Sequence, residues 1–389
     1  MSYFHLNFIL KGKLTVCCLL MLSVMPLNAQ REAKQIGDFK ESISLNEHLR
    51  GTKRTLQYRP DGDEFVCVNG KNRYTRALYG SHSPFRVETS DRPVFAFYNN
   101  GRGGNISFKV ILRDGTELAL DCTGHCESRY SAGKRTYYLT DPSWGKGELR
   151  ISVLALADMD GAIWRFSPSN MPKGAILRWQ HGGATGKRLS RNGDMGVDPA
   201  DCFELPVEAT DLVTGELSLQ KEVYLVRGEV PEGYNVRKLY QQAEAASLAL
   251  ASHLKIETPD PYLNTLGGAL VAAADGIWDG QVWLHGAIGW RMPLSGWRAG
   301  YTGDALGWHD RARTHFDAYA ASQVTDVPNT IPHPAQDSTM NLARSDKRWG
   351  TPQYSNGYIC RNPERNNQMH HYVEKITACY AVYQNLYGT

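Results

Sequence analysis

Residues 278–319 read WDGQVWLHGAIGWRMPLSGWRAGYTGDALGWHDRARTHFDAY. Five of the chain's nine tryptophans (Trp278, Trp283, Trp290, Trp297 and Trp308) crowd into this stretch, among Arg291, Arg298, Asp304, His309, Asp310 and Arg311. Each indole N–H and each charge needs a partner once it leaves water, so the mixture is costly as plain core. It suits a sugar. An indole face stacks on the C–H face of a pyranose ring, while carboxylate and guanidinium groups fix its hydroxyls through paired hydrogen bonds. The expected substrate contacts are Trp290, Arg291, Trp297, Arg298, Trp308 and His309, joined by His370 and His371 further along the chain. The structural alternative is a tryptophan-rich plug at the end of a helical domain.

Cleaving a glycosidic bond requires two carboxyl groups on opposite sides of it, one of them with a raised pKa. Asp279, Asp304, Asp310 and Asp317 lie in the stretch, and Asp310 and Asp304 are the expected catalytic pair. Each also has a plain reading: Asp304 as a cap at a helix start, Asp310 as an i,i+3 partner of Arg313, Asp317 as a solvated helix residue. A polysaccharide lyase would instead draw its base from His285, His370, His371 or Tyr301 and neutralise a uronate with Arg298. A non-catalytic carbohydrate-binding protein is a third class. No cofactor is expected. Cys122 and Cys126, with His125 between them, permit a small disulfide loop, free thiols or two metal thiolates. No second cysteine or histidine pair lies nearby, so no metal is expected.

The elements that must position these residues divide the chain. From Leu56 to about Val226, short β-rich runs alternate with turn signals such as Asn69-Gly70 and Asp114-Gly115. Runs at 64–68, 94–98, 106–112, 137–140, 149–157, 162–166, 175–179 and 222–226 indicate a large antiparallel β-sandwich over residues 55–230. Two arginine-rich stretches, NGKNRYTRALYG at 69–80 and RVETSDRP at 86–93, read as ion-paired strand ends, or as loops reaching into a neighbouring site. After Pro231 a 3.6-residue period begins. Val236, Leu239, Ala243, Ala246, Leu250 and Leu254 mark a helix over about 235–256, and prolines 259 and 261 break it. A second helix carries Leu263, Leu266, Leu270 and Ile277, with small residues suited to close packing, and stops at Asp279-Gly280. A third starts near 302–304 and turns Ala305, Trp308, Ala312, Phe316 and Tyr319 inward; a fourth begins near Asn366. The fold class is therefore α+β, with an antiparallel β-sandwich followed, over 231–389, by the first helices of a helical toroid.

Residues 1–29 stand apart as an expected signal peptide: Lys11 and Lys13 precede the apolar run 14–27, and Ala29 offers a cleavage point. Residues 30–54 read as a polar leader. The run is short for a bilayer, and no other segment approaches twenty apolar residues, so a periplasmic or secreted protein without a transmembrane segment is expected. Losing Lys11 and Lys13 and no acid takes the formal charge from +3 to +1. Near-neutrality without a basic block argues against nucleic acid as a partner and leaves an oligosaccharide or polysaccharide.

The runs NGKNRYTRALYG, DGIWDGQVWLHGAIGWRMPLSGWRAGY at 275–301, GDALGWHDRARTHF at 303–316 and NNQMHHY at 366–372 resemble exported proteins of uncharacterised function encoded in polysaccharide-utilisation loci of gut Bacteroidetes. In architecture the chain resembles glycoside hydrolases and phosphorylases with an (α/α)6 toroid behind an N-terminal β-supersandwich. The resemblance implies carbohydrate chemistry in the mouth of the toroid. It also implies a C-terminal truncation, because such enzymes continue for several helices that carry their general acid.

Overall fold

A computed structural model describes residues 57–71, 74–99, 102–188, 212–230, 232–284 and 302–322, together with the short strands β15 (Gln336–Asp337) and β16 (Leu342–Ala343). The chain divides into two compact units, Met1–Arg59 and Pro60–Thr389. Among the described residues fourteen strands precede the α-helices: β1 (Arg59–Asp61), β2 (Glu64–Val68), β3 (Tyr74–Leu78), β4 (Arg86–Ser90), β5 (Phe95–Asn99), β6 (Arg102–Ile111), β7 (Glu117–Ala119), β8 (His125–Ser131), β9 (Lys134–Thr140), β10 (Glu148–Ala155), β11 (Gly161–Ser169), β12 (Ile176–Arg188), β13 (Val213–Ser218) and β14 (Val223–Gly228). One sheet runs β1-β2-β8-β9-β10-β11-β14. The other runs β13-β12-β6-β5-β4-β3, with β7 also on β6.

Alternation decides which side chains meet between the sheets. Tyr137, Trp164 and Phe166 point in from the first sheet, and Phe95 and Phe108 from the second. Their rings meet nearly edge to face, Phe95 with Trp164 at 5.5 Å and Phe108 with Phe166 at 5.2 Å between centroids, the geometry that aromatic quadrupoles favour.

The arginine-rich stretches prove to be strands and their turns, and two of their guanidinium groups, Arg86 and Arg92, donate to backbone carbonyls. Arg92 donates to the carbonyls of Gly70, Asp121 and Thr123, and Arg86 to those of Ser83 and Phe85. Carbonyls at strand ends have no ladder partner, and a guanidinium fork satisfies them. All five residues of β4 are buried. Neither Cys122 nor Cys126 is in a disulfide; Cys126 is buried, which pushes its thiol up to about 12, and Cys122 is exposed.

The change from strand to helix falls between Gly228 and Val236. Helix α1 (Val236–Ala251) starts where the Asn235 side chain accepts from the Lys238 amide at 3.0 Å. It lays Leu239, Tyr240 and Ala243 against Leu154 and Ile163 of the first sheet and Leu156 of the β10–β11 connection, so strands and helices share a core. Helix α2 (Pro261–Gly276) is capped by Asp260 and begins on proline. Its glycines permit the close packing expected of them. A Cβ on Gly267 would stand 2.7 Å from the Leu254 carbonyl oxygen, and one on Gly268 would stand 2.9 Å from the Ala132 Cβ. Helix α3 (His309–Ala321) begins later than its periodicity implies. Gly307 takes φ +74° and Trp308 leaves the helical region, so residues 302–306 form a separate helical turn and Ala305 is exposed. Trp308, Ala312, Phe316 and Tyr319 do turn inward. The fourth helical segment, near Asn366, lies outside the described residues. No helix among the described residues is long and apolar enough to cross a membrane.

Candidate functional site

The described tryptophans of the 278–319 stretch are core. Trp283 is fully buried, Trp278 is 4% exposed and Trp308 is 9% exposed, packed with Val271, Ala274, Leu306 and Ala312. Trp278 and Trp283 lie 4.6 Å apart between centroids, and the Trp283 amide donates to His315 Nδ1 at 3.2 Å. Burial lowers the His315 pKa to about 3, so its ring is neutral at physiological pH. Trp308, an expected stacking platform, is buried at 9% exposure. The Arg311 guanidinium covers its ring at 4.3 Å and His253 meets it at 5.6 Å.

Two charged groups border this core. Asp275, at the C-terminal end of α2, accepts from Arg311 Nη1 at 2.7 Å and lies 3.2 Å from His82 Nε2, which comes from the β3–β4 connection. Burial pushes the Asp275 carboxyl upward, but the hydrogen bonds and charges of His82 and Arg311 outweigh it and hold the group below its ordinary value. The carboxylate therefore joins a strand connection, α2 and α3. Asp275→Ala should lower stability by about 1–3 kcal/mol, because Arg311 and His82 lose their shared acceptor; Asp275→Asn should cost less. Urea denaturation of both variants measures this, and wild-type midpoints would contradict the role.

The second group is Asp304, whose Oδ1 lies 3.1 Å from His309 Nδ1. Its cap-like position is not used as expected: the carboxylate turns to the imidazole across the Gly307 break. His309 is 54% exposed and Asp304 21% exposed, so the pair presents a polar edge to solvent. Asp310, the other expected catalytic carboxyl, is 99% exposed and 3.9 Å from Arg313. That is the plain i,i+3 contact, on a side chain open to solvent. Asp279 holds a turn through the amides of Gln281 and Val282. Trp290, Arg291, Trp297, Arg298, His370 and His371 lie outside the described residues.

The two flanks of residues 285–301 are described, and they converge. Trp283 and Leu284 precede the segment; Gly303 follows it, and a Cβ on Gly303 would stand 2.4 Å from the Trp283 ring. The structure thus brings Asp304, His309, Trp308 and the flanks of that segment together. Sequence reasoning missed the His82–Asp275–Arg311 cluster. The only sequence signal is that Asp275 and Arg311 fall inside motif-like runs; His82, 193 positions before Asp275, carries none. Among the described residues no group of three or more His, Cys, Asp or Glu is placed to hold a metal ion.

Residues 100–230, most of the sandwich, match a family model described as Domain of unknown function (DUF4450). No curated protein matches the chain. Among solved structures the chain is similar to a bacterial glucoamylase complexed with acarbose, with a TM-score of 0.43 and 8% identity, over 83% of this chain. The chain spans 60% of that glucoamylase's length. A likeness this distant bears on neither activity nor substrate.

Proposed function

We propose that this chain is an exported, carbohydrate-active protein of glycoside-hydrolase-like design, whose sugar contact is formed by residues 285–301 with the Asp304–His309 pair. One observation carries the reading. Trp283 packs against Gly303, so a segment holding Trp290, Arg291, Trp297 and Arg298 departs and returns beside a half-exposed carboxylate–imidazole pair. With Trp278, Trp283 and Trp308 assigned to the core, the stacking surfaces are Trp290 and Trp297. The carboxylate and imidazole then hold ring hydroxyls, accepting and donating in turn. Further support comes from the apolar run before Ala29 and from the resemblance of the 275–301 and 303–316 runs to exported polysaccharide-utilisation proteins.

Of the two expected catalytic carboxyls, Asp304 is the shielded one, 21% exposed and beside a histidine, whereas Asp310 is 99% exposed. Binding is the primary activity proposed for this chain, and hydrolysis needs a second carboxyl across the bond from Asp304. A glycan array followed by titration of the best ligand tests the reading. Asp304→Asn and His309→Ala should each weaken binding about tenfold, the loss of one hydrogen bond involving a charged group. Their folding stability should stay close to that of the wild type. A wild-type chain that binds no glycan on the array refutes the proposal.

A further inference from the structure

The strand orders end at one seam. β14 closes the first sheet and β13 closes the second, next to β12. Arg227 lies on β14 and shares a strand face with Leu225, whose ladder partner is the core residue Trp164. Trp179 lies on β12 opposite the core residue Phe108. Both side chains thus face the space between the sheets, but at its open edge, where each is half-buried.

Their arrangement is tight. The Arg227 guanidinium lies 5.1 Å from the Trp179 ring centroid, and its Nε donates to His181 Nδ1 at 3.1 Å. The indole is set by the absence of a side chain on Gly215, where a Cβ would stand 2.6 Å from the ring. Indole and imidazole together fix the plane of the guanidinium. Neither supplies a negative charge, and among the described residues no carboxylate pairs with Arg227. Arg129, Arg178 and Arg311 each hold at least one carboxylate. Burial draws the Arg227 guanidinium below its ordinary value, the expected penalty for a cation taken partly out of water without a counter-charge. An oriented guanidinium whose Nη1 and Nη2 edge has no acceptor among the described residues is the donor half of a bidentate oxyanion contact.

We propose that Arg227, braced by Trp179 and His181 at the open edge of the sandwich, is a second binding site that takes the carboxylate of an acidic saccharide. The saccharide part of this inference rests on the carbohydrate reading above; the anion part rests on the geometry of Arg227 alone. The site would hold a uronate residue of a chain whose other sugars contact the helical region or solvent. A bidentate guanidinium–carboxylate contact discriminates a uronate from the corresponding neutral sugar, since the latter offers only hydroxyls.

Titration calorimetry on the full chain tests this with three probes: an oligogalacturonide, its neutral galactose counterpart and inorganic sulfate. The oligogalacturonide is expected to bind, and Arg227→Met should weaken it at least about tenfold, with Arg227→Lys intermediate because a point charge replaces the fork. The melting temperature of Arg227→Met should not fall, since an unpaired, half-buried charge is removed. If the wild type binds no oligogalacturonide, the proposal is overturned, and so it is if Arg227→Met binds it as well as the wild type does. Sulfate binding that depends on Arg227 while the oligogalacturonide is ignored would also overturn the saccharide assignment. Neutral-glycan binding unaffected by Arg227 would leave the function proposed above intact, so the two readings fail separately.

Discussion

Replacing Trp283 by alanine should lower the stability of the chain by roughly 3–5 kcal/mol, the range for removing a fully buried tryptophan. The ring is 0% exposed, stacks obliquely on Trp278 and His315, and packs against Gly303. Its deletion leaves a cavity at the meeting point of α2, α3 and the flanks of residues 285–301. Relaxation cannot fill that cavity cheaply, because Trp308 is held by Arg311 and α3 is tied to Asp275. The buried Trp283 Nε1 has no hydrogen-bond partner among the described residues. Trp283→Phe, which keeps an aromatic ring and removes that orphan N–H, should therefore cost much less than Trp283→Ala. Chemical denaturation of both variants measures the difference. A loss below about 1 kcal/mol for Trp283→Ala would mean that the tryptophan cluster is not a structural core. Because glycan contact is assigned to Trp290 and Trp297, Trp283→Phe should also retain binding.

Stability should fall as pH rises from about 4.5 to about 7, through Glu88. This carboxyl lies in β4, is 8% exposed, and its Oε1 has no hydrogen-bond partner among the described residues. Burial raises its pKa from 4.5 to about 7, and the nearby Arg86 charge opposes the shift only in part. Burial also raises the pKa of neighbouring Tyr79, which stays neutral and supplies no compensating charge. The folded chain therefore keeps the Glu88 proton through a range in which the unfolded chain has released it. Between those two values the native state binds more protons, so the slope of unfolding free energy with pH is negative. The accumulated loss is on the order of 3 kcal/mol, present in full above the folded value and absent below the unfolded one. Glu88→Gln should flatten this dependence and gain stability over the wild type at pH 8. Melting temperatures across pH 4 to pH 8 test it. Identical slopes in the two proteins would place the dependence elsewhere.

Local pattern was enough for much of the fold. The run Glu64–Val68 is a strand with Phe65 and Cys67 buried, as its alternation implies, and the period from Val236 makes the helix whose face Leu239 and Ala243 bury. Two-residue and 3.6-residue periods are properties of neighbouring positions, so they are readable along the chain. The β4 strand was not legible as one, because Arg86 and Glu88 look like surface residues until the carbonyls of Ser83 and Phe85 and the apolar surroundings of the strand are known. β8 was hidden in the same way, its polar sequence HCESRYS carrying Cys126, Ser128 and Tyr130 inward.

For the site, the sequence by itself determined which residue types were available. The 278–319 stretch holds enough indole, imidazole, guanidinium and carboxylate for either a sugar surface or a plug, and composition is the same in both cases. Only tertiary structure decided that Trp278, Trp283 and Trp308 are core, that Arg311 lies on Trp308, and that Asp304 turns to His309 while Asp310 faces solvent. The same holds for His82 with Asp275 and for Arg227 with Trp179 and His181. Burial and charge pairing depend on what packs from elsewhere in the chain. Backbone periodicity fixes only the face on which a side chain stands, whereas the partner that sets its protonation and exposure comes from a distant strand or helix.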